Sequence, residues 1–143
     1  YNLSMSCNHC ADPICAHNCP TRAIQKRDDG IVLIDPKSCI GCKYCSWVCP
    51  YGAPQFDSEK GVMGKCDLCA DYVDQGKNPS CVDACPMRAL DFGDYDELAK
   101  KHGSSEHFFP LPEPSITDPS IVTRAHANAD SGQARVANIE EVT

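Results

Sequence analysis

Twelve cysteines in a chain of 143 residues constrain this sequence more than anything else in it, because they are ordered. They form three blocks that each close on Cys-Pro: Cys7, Cys10, Cys15 and Cys19-Pro20; Cys39, Cys42, Cys45 and Cys49-Pro50; Cys66, Cys69, Cys81 and Cys85-Pro86. The residues that follow echo one another, Thr21-Arg22-Ala23-Ile24 after the first block and Met87-Arg88-Ala89-Leu90 after the third. This is an internal repeat of thiols, and it leaves two classes open, a disulfide scaffold or a metal-cluster protein. Hydrophobic residues reach 42% only with the cysteines counted among them, so the hydrocarbon core is small and the thiols must serve as staples.

Spacing separates the two classes. Cys39-x-x-Cys42-x-x-Cys45-x-x-x-Cys49-Pro50 is the bacterial ferredoxin run, in which three crowded thiolates clasp one cubane cluster and the fourth ligates its neighbour. Two-residue gaps let the backbone curl until three sulfurs face three corners of a small cube. A helical step then carries Cys49 toward the next cube, and Pro50 ends the turn. Cysteines this close are poorly placed for bridges within a block. The first block inserts Ala11, Asp12, Pro13 and Ile14 between Cys10 and Cys15 but keeps the same ending. With fourth-ligand exchange, one [4Fe-4S] cluster takes Cys7, Cys10, Cys15 and Cys49, and a second takes Cys39, Cys42, Cys45 and Cys19. In the third block 11 residues separate Cys69 from Cys81, and alone it also reads as a structural zinc site without redox activity. Its Cys85-Pro86 ending favours a cluster.

The remaining pattern predicts an α+β fold of ferredoxin-like cluster-binding modules with short β-hairpins and short helices, followed by an extended C-terminal tail. Residues 23–26 and 31–35 flank Arg27-Asp28-Asp29-Gly30, a hairpin signal. Residues 54–56 and 62–65 around Asp57-Ser58-Glu59-Lys60-Gly61 give a weaker copy. Asp94-Tyr95-Asp96-Glu97 resembles a capping box, and Lys100, Lys101 and His102 before Gly103 suit a helix end, so residues 95–102 are expected to be helical. From Ser104 the chain carries Pro110, Pro112, Pro114 and Pro119 and no cysteine. That tail is either a disordered terminus or a strap laid over a partner. The expected units are 1–65, a double-cluster module; 66–103, half of an outer module with its helix; and 104–143, the partner-contacting tail.

Several functions are disfavoured. A formal charge of -7 argues against sequence-blind nucleic-acid binding, no apolar run approaches the roughly 18 to 20 residues of a membrane span, and no catalytic triad, paired acid or phosphate loop stands in a convincing context. His9 and His17 lie between thiols, but four cysteines are already available for each cluster. Arg22, Lys43, Lys65 and Arg88 sit beside cysteines, either as ordinary surface charge or as cations offsetting cluster charge. Trp47 is expected to pack over a cluster, and Gly41 and Gly52 to give backbone room around one.

Four stretches carry a family likeness: Cys7-Asn8-His9-Cys10, Ile40-Gly41-Cys42-Lys43-Tyr44-Cys45, Cys49-Pro50-Tyr51-Gly52-Ala53-Pro54-Gln55, and Arg88-Ala89-Leu90-Asp91-Phe92-Gly93. Asp96-Glu97-Leu98 and Lys100-Lys101-His102-Gly103 extend it beyond the cysteines. The chain resembles the four-cluster electron-transfer subunits of molybdopterin oxidoreductases, most closely the B subunits of the dimethyl sulfoxide reductase type. The likeness covers the chain, loosely after Ser104. It implies two nested ferredoxin units with four Cys blocks, of which these three match the second, third and fourth. By that mapping the sequence, which starts at Tyr1 rather than Met, is expected to be an N-terminally incomplete copy. At least two clusters would be complete in it and up to four in the full-length protein. Cys66, Cys69 and Cys81 would share a third cluster whose fourth ligand lies outside this chain or is Cys85. The resemblance further implies a non-catalytic subunit. A membrane anchor oxidising quinol would supply its electrons, and a molybdopterin catalytic subunit would receive them. Membrane contact would run only through the anchor, on the periplasmic face of the bacterial inner membrane or, alternatively, the cytoplasmic face. One branch of the family carries a three-iron cluster where a cysteine of the block matching 39–49 is replaced; here all four are present, so four-iron clusters are expected.

Overall fold

The computed structural model describes residues 5–103 and 111–124. The first hairpin pairs β1 (Ile24–Lys26) with β2 (Val32–Ile34), antiparallel, with Ile24 opposite Ile34 and Lys26 opposite Val32. Its turn closes at Gly30, whose φ of +88° is a conformation that glycine takes without a Cβ clash. The second pairs β3 (Gln55–Asp57) with β4 (Val62–Gly64), and there the Asp57 carboxylate accepts from the N–H groups of Glu59 and Lys60. The first hairpin lies within the predicted ranges, whereas in the second β3 runs one residue further, through Asp57, which the sequence placed in the turn.

Five short helices carry or flank the cysteines: α1 (Ile14–His17), α2 (Tyr44–Val48), α3 (Ala70–Val73), α4 (Ser80–Ala84) and α5 (Tyr95–His102). Helices of four or five residues are too short to be stable alone and depend on packing; α1 packs on both α2 and β1. The longest, α5, has its own local support. The Asp94 carboxylate caps it by accepting from the Asp96 and Glu97 N–H groups, an arrangement worth about 1 kcal/mol. Its last turn carries Lys100, Lys101 and His102, whose charges suit a helix C-terminus, and Lys101 and His102 also grip Asp91 at 2.6 and 3.0 Å.

The core is as thin as the composition implies. Ile24, Val32, Met63 and Cys45 form its buried centre, with Cys15, Cys19 and Cys39 packed against it. Cysteine side chains therefore complete a core that hydrocarbon alone does not fill. Arg27, in the first hairpin's turn, pairs with Asp29 at 2.8 Å and with Asp74, which ends α3, so the third block is tied to the first hairpin by charge.

The described part of the tail packs on this chain, a contact that neither expectation for it included. Residues 111–124, with a 3-10 turn at Pro114–Ile116, lie on the chain's own first Cys block. Ala11 N–H donates to the Asp118 carbonyl at 2.6 Å, Asp12 N–H to the Thr117 carbonyl at 3.1 Å, and Ser120 N–H to the Asn8 carbonyl at 3.1 Å. The loop inserted between Cys10 and Cys15 exposes N–H groups that need acceptors, and an extended, proline-rich segment offers carbonyls without competing for them. Residues 104–110 and 125–143 of the expected partner strap lie outside the described residues.

Candidate metal centres

All 12 cysteines are free thiols. The local geometry of each block explains the spacing. The residue before the second cysteine is left-handed in all three: His9 at φ +44°, Gly41 at +66° and Leu68 at +55°. That inversion folds Cys-x-x-Cys into a tight curl and turns both sulfurs to one side. The closing Cys-Pro repeats as well. Arg22, Gly52 and Arg88, each three residues after its cysteine, have φ of +54°, +61° and +50°, and their N–H groups donate back to the carbonyls of Cys19, Cys49 and Cys85 at 3.1, 3.2 and 3.2 Å. The Arg-Ala-aliphatic echo in the sequence is this turn.

The turn wraps N–H groups around the last sulfur. Burial pushes the Cys19 thiol up, but the N–H groups of Ile24, Ala23 and Thr21 and the Thr21 hydroxyl outweigh it and lower its pKa. Cys85 is lowered in the same way, chiefly by Ala89 N–H, which donates to its sulfur at 3.4 Å.

Two cavities gather cysteines from separate blocks. The first, about 370 Å³ counted to its open mouth, is lined by Cys7, Cys10 and Cys15 of the first block and Cys49 of the second. The second, about 300 Å³ on the same measure, is lined by Cys39, Cys42 and Cys45 of the second block and Cys19 of the first. These are the two sets that fourth-ligand exchange predicts. The helices make the exchange: α2 runs from Tyr44 to Val48, so Cys45 at its start and Cys49 just past its end face different cavities, and α1 separates Cys15 from Cys19 likewise. Cys66, Cys69, Cys81 and Cys85 line neither cavity. Cys66 does come close enough to Cys7 for their charges to interact, which puts the third block beside the first cavity.

The donor sets fit [4Fe-4S] clusters. Burial pushes the Cys15 thiol up to about 11, reinforced by Cys7, and raises Cys10 and Cys45 too. Crowded buried thiols resist ionisation until a cation takes their protons' place, and bound iron does that outright. Hydrogen bonds to the sulfurs are in place as well: Met63 N–H donates to Cys39 at 3.4 Å. Among the described residues no three Cys, His, Asp or Glu side chains converge tightly enough to share one metal ion.

Several further residues line the first cavity. Lys65 does so, with its Nζ donating to the carbonyls of Val32 and, at 3.1 Å, Cys66. His9 is 4% exposed; its Nδ1 accepts from Val32 N–H at 3.0 Å, and burial together with the Lys65 charge lowers its pKa to about 4, so the ring is neutral. Its Nε2 and the Asn8 Nδ2 are both buried without a hydrogen bond of normal geometry among the described residues. Thr117, on the tail, is fully buried there and meets the Tyr51 hydroxyl at 3.2 Å and the Cys10 thiol. Sequence spacing indicated none of Asn8, Tyr51 and Thr117. Asn8 at least stands between two cysteines, whereas nothing in the tail marked Thr117.

Three expectations change. Trp47 is 73% exposed and leans on Tyr44, ring centres 5.4 Å apart, instead of covering a cavity; its place on α2 points it away from the core that Cys45 enters. Lys43 lies over the Phe56 ring at 4.2 Å and lines neither cavity. The room at Gly41 is used by protein, since a Cβ there would overlap the Gly61 carbonyl oxygen.

Residues 1–95 match the 4Fe-4S dicluster domain family, and the chain belongs to it. Its cofactors are accordingly [4Fe-4S] clusters. The chain is similar to the B subunit of anaerobic dimethyl sulfoxide reductase of Escherichia coli strain K12, with 55% identity over 129 residues, 90% of this chain and 63% of that one. It is 51% identical over 145 residues to YnfG, a probable anaerobic dimethyl sulfoxide reductase subunit of the same strain, covering 99% of this chain and 71% of the relative. The thiosulfate reductase electron transfer subunit PhsB of Salmonella typhi is 43% identical over 96 residues, 66% of this chain and 50% of that protein. The chain thus spans less than two thirds, 63%, of the first of these relatives.

Proposed function

We propose that this chain is a non-catalytic electron-transfer subunit of an oxidoreductase of the dimethyl sulfoxide reductase type, passing electrons from a quinol-oxidising membrane subunit to a molybdopterin catalytic subunit. The observation that carries the reading is the exchange of a fourth cysteine between two neighbouring cavities. Cys7, Cys10, Cys15 and Cys49 would hold one cluster and Cys39, Cys42, Cys45 and Cys19 the next, while Cys66, Cys69 and Cys81 would hold a third whose fourth thiolate comes from outside this chain or from Cys85. A bound [4Fe-4S] cluster supplies a one-electron couple. The protein's own contribution is position and environment. The shared helices α1 and α2 keep the two sites adjacent, the thin core between them excludes water, and donors on the sulfurs stabilise the reduced form.

Partner contact is supported by surface chemistry. Ile40, Tyr44 and Trp47 are 65%, 50% and 73% exposed on the second block, which is costly in water and suits a covered face. No helix among the described residues is long and apolar enough to cross a membrane. Attachment to the membrane, on its periplasmic face, would run through the anchor subunit.

Anaerobic purification tests the reading. A brown protein with broad visible absorption, bleached by dithionite, is expected, with about eight irons per chain for two complete clusters. An iron-free protein, or one holding zinc in place of iron, overturns it.

A further inference from the structure

Among the described residues, two buried N–H groups in the first cavity lack a well-placed acceptor. The Val32 N–H bond to His9 Nδ1 fixes the neutral ring with its proton on Nε2, so Nε2 is a donor. Nε2 is buried and, among the described residues, has no hydrogen bond of normal geometry; the Cys66 carbonyl interacts with the ring only weakly and also accepts from Lys65 Nζ at 3.1 Å. The Asn8 amide nitrogen beside it is likewise buried without a hydrogen bond of normal geometry, and it interacts only weakly with the Tyr51 hydroxyl. A buried donor without a good acceptor is destabilising, and two side by side in one wall call for an acceptor. Both residues line the cavity of Cys7, Cys10, Cys15 and Cys49, where sulfur is the acceptor at hand. The second cavity differs: no side chain lining it carries a nitrogen donor.

We propose that His9 Nε2–H, with Asn8 beside it, donates N–H···S hydrogen bonds to the group held in the first cavity, and that these bonds give its cluster a higher reduction potential than the cluster of the second. His9 is a positioning and tuning residue on this reading, which rests on the proposed cluster sites, and not a ligand. The physical basis is charge: reduction adds an electron to an already anionic cluster, and donors aimed at its sulfurs stabilise the added charge.

Substitutions at His9 separate the roles. Asn tolerates the left-handed backbone at position 9 and its Oδ1 can accept from Val32 N–H as Nδ1 does, so His9→Asn removes the Nε2 donor with little disturbance of the fold. His9→Gln keeps a donor near Nε2. In the cluster-loaded full-length chain, redox titration followed by electron paramagnetic resonance is expected to show one midpoint potential moved downward in His9→Asn, restored largely in His9→Gln, at unchanged iron content. A Cys19→Ser variant marks the second cavity's signal, so the shifted cluster can be assigned. Resonance Raman spectra of the unmutated protein in deuterated water supply a measurement independent of folding, with an isotope shift expected in the iron–sulfur stretching bands of the first-cavity cluster. No potential shift, a shift in the second-cavity cluster, no isotope effect there, or loss of iron from His9→Asn each overturns the proposal. Absence of iron from the unmutated protein would instead overturn the cluster reading itself.

Discussion

The two cavities are built on one plan and differ at the residue before the second cysteine. In the second cavity this is Gly41, and its missing Cβ lets the loop lie against the Gly61 carbonyl at the turn of the second hairpin. In the first it is His9, which holds a left-handed φ of +44° despite its side chain because Val32 N–H anchors the ring. One position of the repeat thus serves packing in one copy and polar chemistry in the other. The difference teaches that ligand geometry is set by the backbone curl, which both copies keep, while the environment of the bound group is set by whichever side chain the curl presents.

Exchanging the fourth cysteines would break the comparison most completely. Cys49→Ser is expected to damage the cluster of the first cavity although it belongs to the second block, and Cys19→Ser the reverse. Loss of at least one iron per affected cluster, or a three-iron signal, is the readout; damage confined to the cluster of the residue's own block would refute the crossed pairing. Next in size is Gly41→Ala. A Cβ overlapping a backbone oxygen at positive φ should destabilise the protein by about 3 kcal/mol in denaturant unfolding. Gly61→Ala, where φ is +68° but the space is open, should cost about 1 kcal/mol, and equal losses would mean that the close approach does not matter.

Thr117→Val sharpens the comparison from the tail, because only the first cavity has this cover. Losing the hydroxyl that meets Tyr51 should cost about 1 kcal/mol and speed amide hydrogen exchange at Ala11 and Asp12, leaving the second block unchanged. The smallest effect lies outside both cavities. Hydrogen bonds from Lys101 and His102 hold the Asp91 carboxyl well below the usual carboxylate range. A depressed folded pKa means that this contact stabilises α5 above the ordinary carboxylate value and is lost only as pH falls through the lower folded one. In an NMR titration the Asp91 side-chain carboxyl itself should therefore show its midpoint below the ordinary carboxylate value; a midpoint at that value would mean that Lys101 and His102 do not hold it.

The hairpins and α5 were legible in the residues because their signals are local. Asp-Gly and Lys-Gly turns, Asp94 at the cap and basic residues before Gly103 act within a few positions of themselves. The gathering of Cys49 with the first block's thiols in one cavity and of Cys19 with the second block's in the other was legible for a related reason: the repeat supplies two copies of one motif, and reach forces the fourth sulfur outward. Trp47 was not legible, since a five-residue helix has no periodicity from which to read its buried face. Lys43 escaped too, because its neighbour Phe56 is brought to it only by the second hairpin.

The curl of each Cys-x-x-Cys, the closing Cys-Pro turn and the gathering of the first two blocks' thiols in two cavities follow from the sequence, because steric limits on the backbone and the span of a few residues decide those. What surrounds each site follows instead from long-range packing. His9 meets Val32 across 23 positions and Tyr51 meets Thr117 across 66. No short-range preference encodes such pairs; they exist because folding buried polar groups that then required partners.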